Sequence, residues 1–246
     1  MDALPPELQA LLEREKLESL AEFAAGAGHE LNNPVATIAA RAQLLLKDEI
    51  DPERRRALAV IGGQALRIRD MIGDLMLFAR PPQPQPAQLD LAVEISGVID
   101  KLRVDVEQRR CRLQFAPAES VPVFADATQL RVVVSSLLRN SLEALPDAGG
   151  EIAVSCGQAE VTSQGFPKIP GMLSQFTVAD NGRGLSDNDR RHLFDPFYSG
   201  RQAGRGLGFG LCKCWRIVSN HGGRIDVESH EVRTSFRVLW PAAPVE

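Results

Sequence analysis

Apolar and small side chains recur at Leu17, Leu20, Ala24, Ala27, Leu31, Val35, Ile38, Ala42 and Leu45, steps of three and four that mark one seam along a helix. The same rhythm restarts at Leu58, Ile61, Ala65, Ile68, Ile72, Leu75 and Ala79. Between the runs, "KDEIDPERR" supplies a turn, with Asp51 placed to cap the second helix and Pro52 at its first position. Residues 15–80 therefore read as two helices of roughly 30 residues each, too long to stand without partners. Two helices cannot cover both seams, whereas a dimer forming a four-helix bundle can. The run "RPPQPQPAQ", residues 80–88, ends the pattern: four prolines in six positions cannot continue a helix and make a short stiff linker.

Beyond the linker the period changes. "LAVEISGVIDKLRVDVEQR" and "DATQLRVVVSSLLRNSLEAL" read as helices, the second with Asp126 near its start. "CRLQFAP", "GEIAVSCGQ", "SQFTVAD", "GGRIDVES" and "TSFRVLW" read as strands. Strands in runs with segregated helices predict an α+β layered domain and not a doubly wound sheet. Residues 158–174 read as a loop between strands.

Composition adds bounds. At 246 residues the chain has room for two cores, and 44% hydrophobic with 24% charged residues is ordinary for a globular protein. Lys plus Arg at 28 against Asp plus Glu at 32 gives −4, so no general pull toward nucleic acid or anionic membrane is expected. No apolar run approaches the roughly 18–20 residues of a membrane span. The N-terminal "MDALPPELQALLEREK" lacks a signal-peptide pattern, and the expected location is the cytoplasm. Cys111, Cys156, Cys212 and Cys214 are scattered and read as reduced thiols. Cys212 and Cys214 would point to nearly opposite faces of a helix, which favours buried thiols over a metal or redox pair.

Chemistry gathers first at "GHELNNP", Gly28 to Pro34. It is a near miss on the zinc pattern H-E-x-x-H, but Asn33 is a poor zinc ligand and no third ligand is apparent. The alternative makes His29 a nucleophile, since neutral imidazole is competent near pH 7. Glu30 can accept its other ring N–H, and Asn33, one turn on, can hold a water in line with a phosphoryl group. Pro34 removes the hydrogen bond to the Glu30 carbonyl and should bend the turn. His29 lies off the seam and is expected to face outward.

Four clusters stand out in the second domain. Asn140 sits in the apolar helix "LLRNSLEAL", where its amide is costly unless something uses it. "DNGRG", Asp180 to Gly184, follows a strand, so it is either a hairpin turn or a place where backbone and carboxylate approach a ligand. "FDPFYSG", Phe194 to Gly200, is either core aromatics or a shaped loop. "GRGLGFG" carries glycines at 204, 206, 208 and 210 ahead of "LCKCWRIVSNHGG", freeing backbone N–H groups for phosphate at a helix start. It fits neither G-x-G-x-x-G nor a Walker loop.

In this order, H-E-L-N-N-P, proline linker, R-N-S-L-E-A, D-N-G-R-G, F-D-P-F and G-x-G-L-G resemble the transmitter region of a bacterial two-component sensor histidine kinase, over about residues 15–240. The resemblance implies two domains. One is an α-helical hairpin forming a dimeric four-helix bundle, and the other an α+β two-layer sandwich of the Bergerat ATP-binding fold shared with gyrase, Hsp90 and MutL. It sets a lead-in at 1–14, the dimerisation and phosphotransfer hairpin at 15–82, the linker at 83–88 and the catalytic domain at 89–246. It implies ATP and Mg²⁺ as cofactors, with Asn140 on the metal and Asp180 accepting from the adenine amino group. Gly182 and Gly184 would close over the base. Gly206, Leu207 and Gly208 would form the lid hinge and phosphate contact, with Phe194 and Phe197 bracing the lid. Ser136 stands where a second Asn is common, and Ser199-Gly200-Arg201 where Thr-Thr-Lys is common; Arg201 still offers charge to a phosphate.

The function so implied is autophosphorylation of His29, then transfer to a response-regulator aspartate, with phosphatase activity an added expectation. The expected partners are a second copy, a receiver domain, and a sensory partner in trans or an upstream sensor domain missing from this sequence. Two rivals stand against this: a dimeric scaffold with a degenerate ATP domain, and an ATPase clamp of the gyrase or MutL kind, which leaves "GHELNNP" without a use.

Overall fold

Asp51 closes the first turn of the second helix, its Oδ1 accepting from Glu53 N and Arg54 N at 2.9 Å each. This is the cap the sequence predicts. The computed structural model describes residues 26, 28, 30–79, 81–116, 120–159, 173–200, 208–230 and 232–242. The chain divides into two units, Met1–Pro82 and Gln83–Glu246.

In the first unit, helix α1 (described over 30–48) and helix α2 (Pro52–Ala79) form a hairpin. Arg55 reaches back across the turn and donates to the Leu46 and Glu49 carbonyls at 2.9 and 2.7 Å, satisfying the end of α1. Val35, Ala39 and Ala65, with Leu66 against them, form the contact between the helices. The expected seam splits into two lines. Val35, Ala42, Ala65 and Ile72 are buried, whereas Leu31, Ile38, Leu45, Ile61 and Ile68 are 45–59% exposed. The exposed residues on α1 recur every seven positions. Leu17, Leu20, Ala24 and Ala27 lie outside the described residues.

The second unit runs β1 (Ala87–Asp90), α3 (Leu91–Gln108), β2 (Cys111–Phe115), β3 (Pro122–Ala125), α4 (Ala127–Ala144), β4 (Gly150–Ala159), β5 (Leu173–Asp180), α5 (Asp187–Arg191), α6 (Gly210–Asn220), β6 (Arg224–His230) and β7 (Arg233–Pro241). A five-stranded sheet has the order β2-β4-β5-β7-β6, with β2 and β4 parallel and the other pairs antiparallel. β4 alternates exposed and buried positions because Ile152 and Val154 face the helices. Leu130, Val133, Leu137 and Leu138 of α4 are fully buried with Ile95, Phe176, Ile217, Phe236 and Trp240, so α4 runs through the centre of the core.

β1 and β3 form a separate antiparallel pair, which the sequence reading lacks. The last two linker residues, Ala87 and Gln88, therefore belong to a strand, pairing with Ala125 and Phe124. The linker is also tied down ahead of it: Gln85 N donates to Asp126 Oδ2 at 3.0 Å. Asp126 in turn caps α4 by accepting from Thr128 N and Gln129 N. Cys212 and Cys214 are both buried on α6, whose Trp215 is exposed. Cys212 Sγ faces the Phe209 carbonyl at 3.3 Å and Cys214 Sγ the Val133 carbonyl of α4 at 3.9 Å. Burial pushes the Cys212 thiol up to about 12, which keeps it protonated and unreactive.

Candidate functional site

His29 lies outside the described residues, as do Arg201, Gly206 and Leu207. Around His29, Glu30 and Asn33 are exposed on α1, and the helix is unbroken through Pro34. Thr37 Oγ1 donates to the Asn33 carbonyl at 2.9 Å, adding a bond in the turn that Pro34 weakens. Gly28 is buried, and a Cβ there would come 2.6 Å from Met76 Sδ of α2, so the residue before His29 is held against the second helix.

The second constellation lies where α4 ends beside the end of β5. Asn140 is half-buried on α4, and the next residue, Ser141, is fully buried. Ser141 Oγ donates to Asp180 Oδ2 at 2.8 Å, and Gly182 N donates to Asp180 Oδ1 at 3.0 Å. Asp180 is 2% exposed, and burial pushes its carboxyl above the ordinary value, against the pull of these two bonds. The "DNGRG" segment is not a hairpin turn: β5 pairs with β4 and β7, and the segment leads into α5. It clamps instead onto α4 and β4. Arg183 N donates to the Ala144 carbonyl at 3.2 Å, and Asn181 Oδ1 accepts from Glu151 N at 2.7 Å. A Cβ on Gly182 would lie 2.6 Å from that same Ala144 carbonyl, so only glycine permits the approach. Gly184 takes φ 70.

The aromatic segment meets the end of the glycine loop. Phe197 adopts φ 65, is 59% exposed and packs edge-on against buried Phe209 with centroids 4.8 Å apart. A bulky residue in the left-handed region is strained. Gly208, at φ 74, runs close under it, and a Cβ there would collide with the Tyr198 carbonyl. Phe194 is half-buried in the same segment.

Asp189 ties these pieces together. It is buried and accepts from Ser186 N and Oγ, Arg183 and Tyr198 at 2.8–3.1 Å. Burial would raise its carboxyl, but those bonds outweigh it and hold it at about 2. Sequence reasoning missed Ser141, Asn181 and Asp189. Ser186 and Asp189 do carry a readable signal, a capping box with both reciprocal bonds present.

Among the described residues no cluster of three or more His, Cys, Asp or Glu could hold a metal, and no helix is long and apolar enough to cross a membrane. A helical hairpin whose sequence carries His29 and Glu30, followed by a layered domain with a braced carboxylate beside an Asn-bearing helix, is what a phosphoacceptor module followed by an ATPase-type module would require. The comparisons agree: residues 19–84 match the His Kinase A (phospho-acceptor) domain, and residues 125–244 the histidine kinase-, DNA gyrase B- and HSP90-like ATPase domain. The chain carries both domains of the transmitter region of two-component sensor histidine kinases. It is 31% identical over 243 residues to the sensory histidine kinase/phosphatase NtrB of Rhizobium meliloti, covering 95% of this chain and 61% of that protein. It is 29% identical to the signal transduction histidine-protein kinase AtoS of Escherichia coli, covering 95% and 37%. The chain thus spans about three-fifths of the NtrB length, 61% and 58% in two species. The full-length ShkA crystal structure with AMPPNP shares the fold at TM-score 0.72 and 20% identity, over 89% of this chain and 45% of that one. Acinetobacter baumannii AdeS does so at 0.60 and 19%, over 88% and 98%.

Proposed function

We propose that this chain uses ATP to phosphorylate its own His29 and then passes the phosphoryl group to an aspartate of a response-regulator receiver domain. The observation that carries this reading is Asp180, buried and braced by Gly182 and by Ser141 of the helix that carries Asn140, in a chain whose hairpin sequence also carries His29 and Glu30. An adenine nucleotide fits that donor set, because the two described bonds to the Asp180 carboxylate leave acceptor positions for an exocyclic amino group. ATP as phosphoryl donor places the reaction in the cytoplasm.

In this mechanism an imidazole nitrogen of His29 attacks the γ-phosphorus. A nitrogen–phosphorus bond forms as the bond to the bridging oxygen breaks, and ADP leaves with that electron pair. Glu30 accepts the other ring N–H and stabilises the imidazolium that forms. Asn140 would hold Mg²⁺ through its amide oxygen, and the ion would supply neutralisation of phosphate charge. Gly182 and Gly184 let backbone lie along the base. Arg201 supplies charge, Gly206, Leu207 and Gly208 supply backbone N–H groups to phosphates, and Phe197 braces that segment. Asn33 positions a water for removal of phosphate from the regulator, in keeping with the kinase/phosphatase name of the NtrB relatives.

The hairpin at 15–82 serves as phosphoacceptor and dimerisation domain, the segment at 83–88 as linker and residues 89–246 as the catalytic domain. The exposed line Leu31, Ile38, Leu45, Ile61 and Ile68 supports a homodimer, since a second copy would cover it. Incubation with labelled ATP and Mg²⁺ should give a phosphoramidate, lost in acid and kept in base. His29→Gln should abolish labelling with nucleotide affinity unchanged, and Asn33→Ala should slow dephosphorylation of the regulator more than autophosphorylation. An acid-stable label, or one that survives in the His29 variant, would sink the reading.

A further inference from the structure

Ser141 is fully buried on α4, and its hydroxyl does one visible thing: Oγ donates to Asp180 Oδ2 at 2.8 Å. Oδ1 of the same carboxylate accepts from Gly182 N at 3.0 Å. The two bonds come from different directions, one from a helix and one from the carboxylate's own loop, so together they fix the plane of the group. We propose that Ser141 is a positioning residue for nucleobase recognition, holding Asp180 as an oriented, ionised acceptor for the exocyclic amino group of adenine. This rests on the reading of Asp180 as the base-recognising residue.

A serine hydroxyl can donate or accept, but an ionised carboxylate can only accept. The Ser141 bond therefore favours the charged form of Asp180, and a hydrogen bond to a charged group is among the stronger ones. Burial works in the opposite sense, pushing this carboxyl up, and Ser141 is the larger of the two pulls that bring it back. The balance matters for recognition. An aryl amino group is a donor with no available lone pair, so a protonated Asp180 that turned its O–H toward it would be repelled. The donor from Ser141 favours the accepting form of the group.

The test measures calorimetric affinity of the whole chain, wild type and Ser141→Ala, for ADP and for purine riboside diphosphate, which lacks the 6-amino group, from about pH 5.5 to 8. The expected result has three parts. Ser141→Ala weakens ADP about tenfold near neutrality, the effect of one hydrogen bond to a charged group. The deficit widens as pH falls, because Asp180 without Ser141 protonates at higher pH. The deamino analogue, already weak on wild type, is not weakened further. Ser141→Thr, which keeps the hydroxyl, restores the wild-type profile; Ser141→Cys, which keeps volume but weakens the donor, gives an intermediate one and serves if the alanine variant does not fold. Equal losses for ADP and the analogue, or pH profiles that run parallel, would show a packing role and overturn the proposal. A wild type that binds both ligands equally well would overturn the Asp180 reading itself, and the proposal with it.

Discussion

At the scale of single residues, His221 shows how a side chain outside the site makes the stability of the fold depend on pH. Its Nε2 accepts from Asp126 N at 3.2 Å and its Nδ1 meets the Ile217 carbonyl at 2.9 Å, so the ring sits as the neutral Nδ1–H tautomer. It also packs on Trp240, with ring centroids 4.8 Å apart. Burial pulls its pKa below 6.5, against smaller opposing contributions from Ile217 and Asp126. The unfolded chain therefore takes up this proton before the folded chain does, and stability falls as pH drops below about 6.5. Thermal melts at about pH 7.5 and 5.5 should show a loss of Tm at the lower pH, and His221→Gln should lower Tm overall while flattening that dependence. An unchanged slope in the variant would remove His221 from the account. None of this was legible in the sequence, because the contact joins residues 95 apart. Asp180 and the glycines stood out only through the order of the motifs around them, since alone a carboxylate and two glycines at a strand end read as readily as a hairpin turn. Ser141 was not, because one small hydroxyl in an apolar helix looks like any other until the neighbouring strand is in place.

At the scale of elements, what repeats along the chain was readable and what depends on distant pairing was not. Both hairpin helices, α3, α4 and all five strands of the large sheet followed from period and caps. β1 and β3, four residues each, were missed because neither has enough positions to show alternation and their partners are remote. The hairpin seam was read as one line, yet its period of seven in fact marks two, and the split has a measurable consequence. Ala65 is 3% exposed and faces α1, whereas Ile68 is 45% exposed one turn on. Ala65→Glu would bury an unpaired charge at a cost of several kcal/mol and should unfold the hairpin. Ile68→Glu should leave far-UV helicity intact and convert dimer to monomer in sedimentation at micromolar concentration. If Ile68→Glu stays dimeric while Ala65→Glu stays folded, the assignment of the two lines is reversed.

At the scale of the whole molecule, the two units divide the proposed reaction, one carrying the nucleophile and the other the nucleotide site, and the boundary between them fixes how the chain can be cut. The second unit begins at Gln83, not at the end of the prolines. Gln85 bonds Asp126, Ala87 and Gln88 pair with β3, Gln88 Nε2 donates to the Ala242 carbonyl at 3.2 Å, and Asp90 caps α3. A fragment of residues 83–246 should therefore fold cooperatively and bind ADP as the whole chain does. One starting at Leu91 loses the β1 strand, the Asp90 cap and the linker bond; the cap alone is worth about 1 kcal/mol, and its Tm should be lower by several degrees. Mixed with residues 1–82, the 83–246 fragment should still label His29, but the two sites no longer share the effective concentration that a covalent linker gives them. Labelling of the mixture should then rise in proportion to fragment concentration, while labelling of intact dimer is independent of dilution until the dimer dissociates. A mixture that labels at the intact rate would mean that the linker contributes nothing to bringing His29 to the nucleotide. A mixture that never labels, with both fragments folded and ADP bound, would mean that the linker residues belong to the reaction itself.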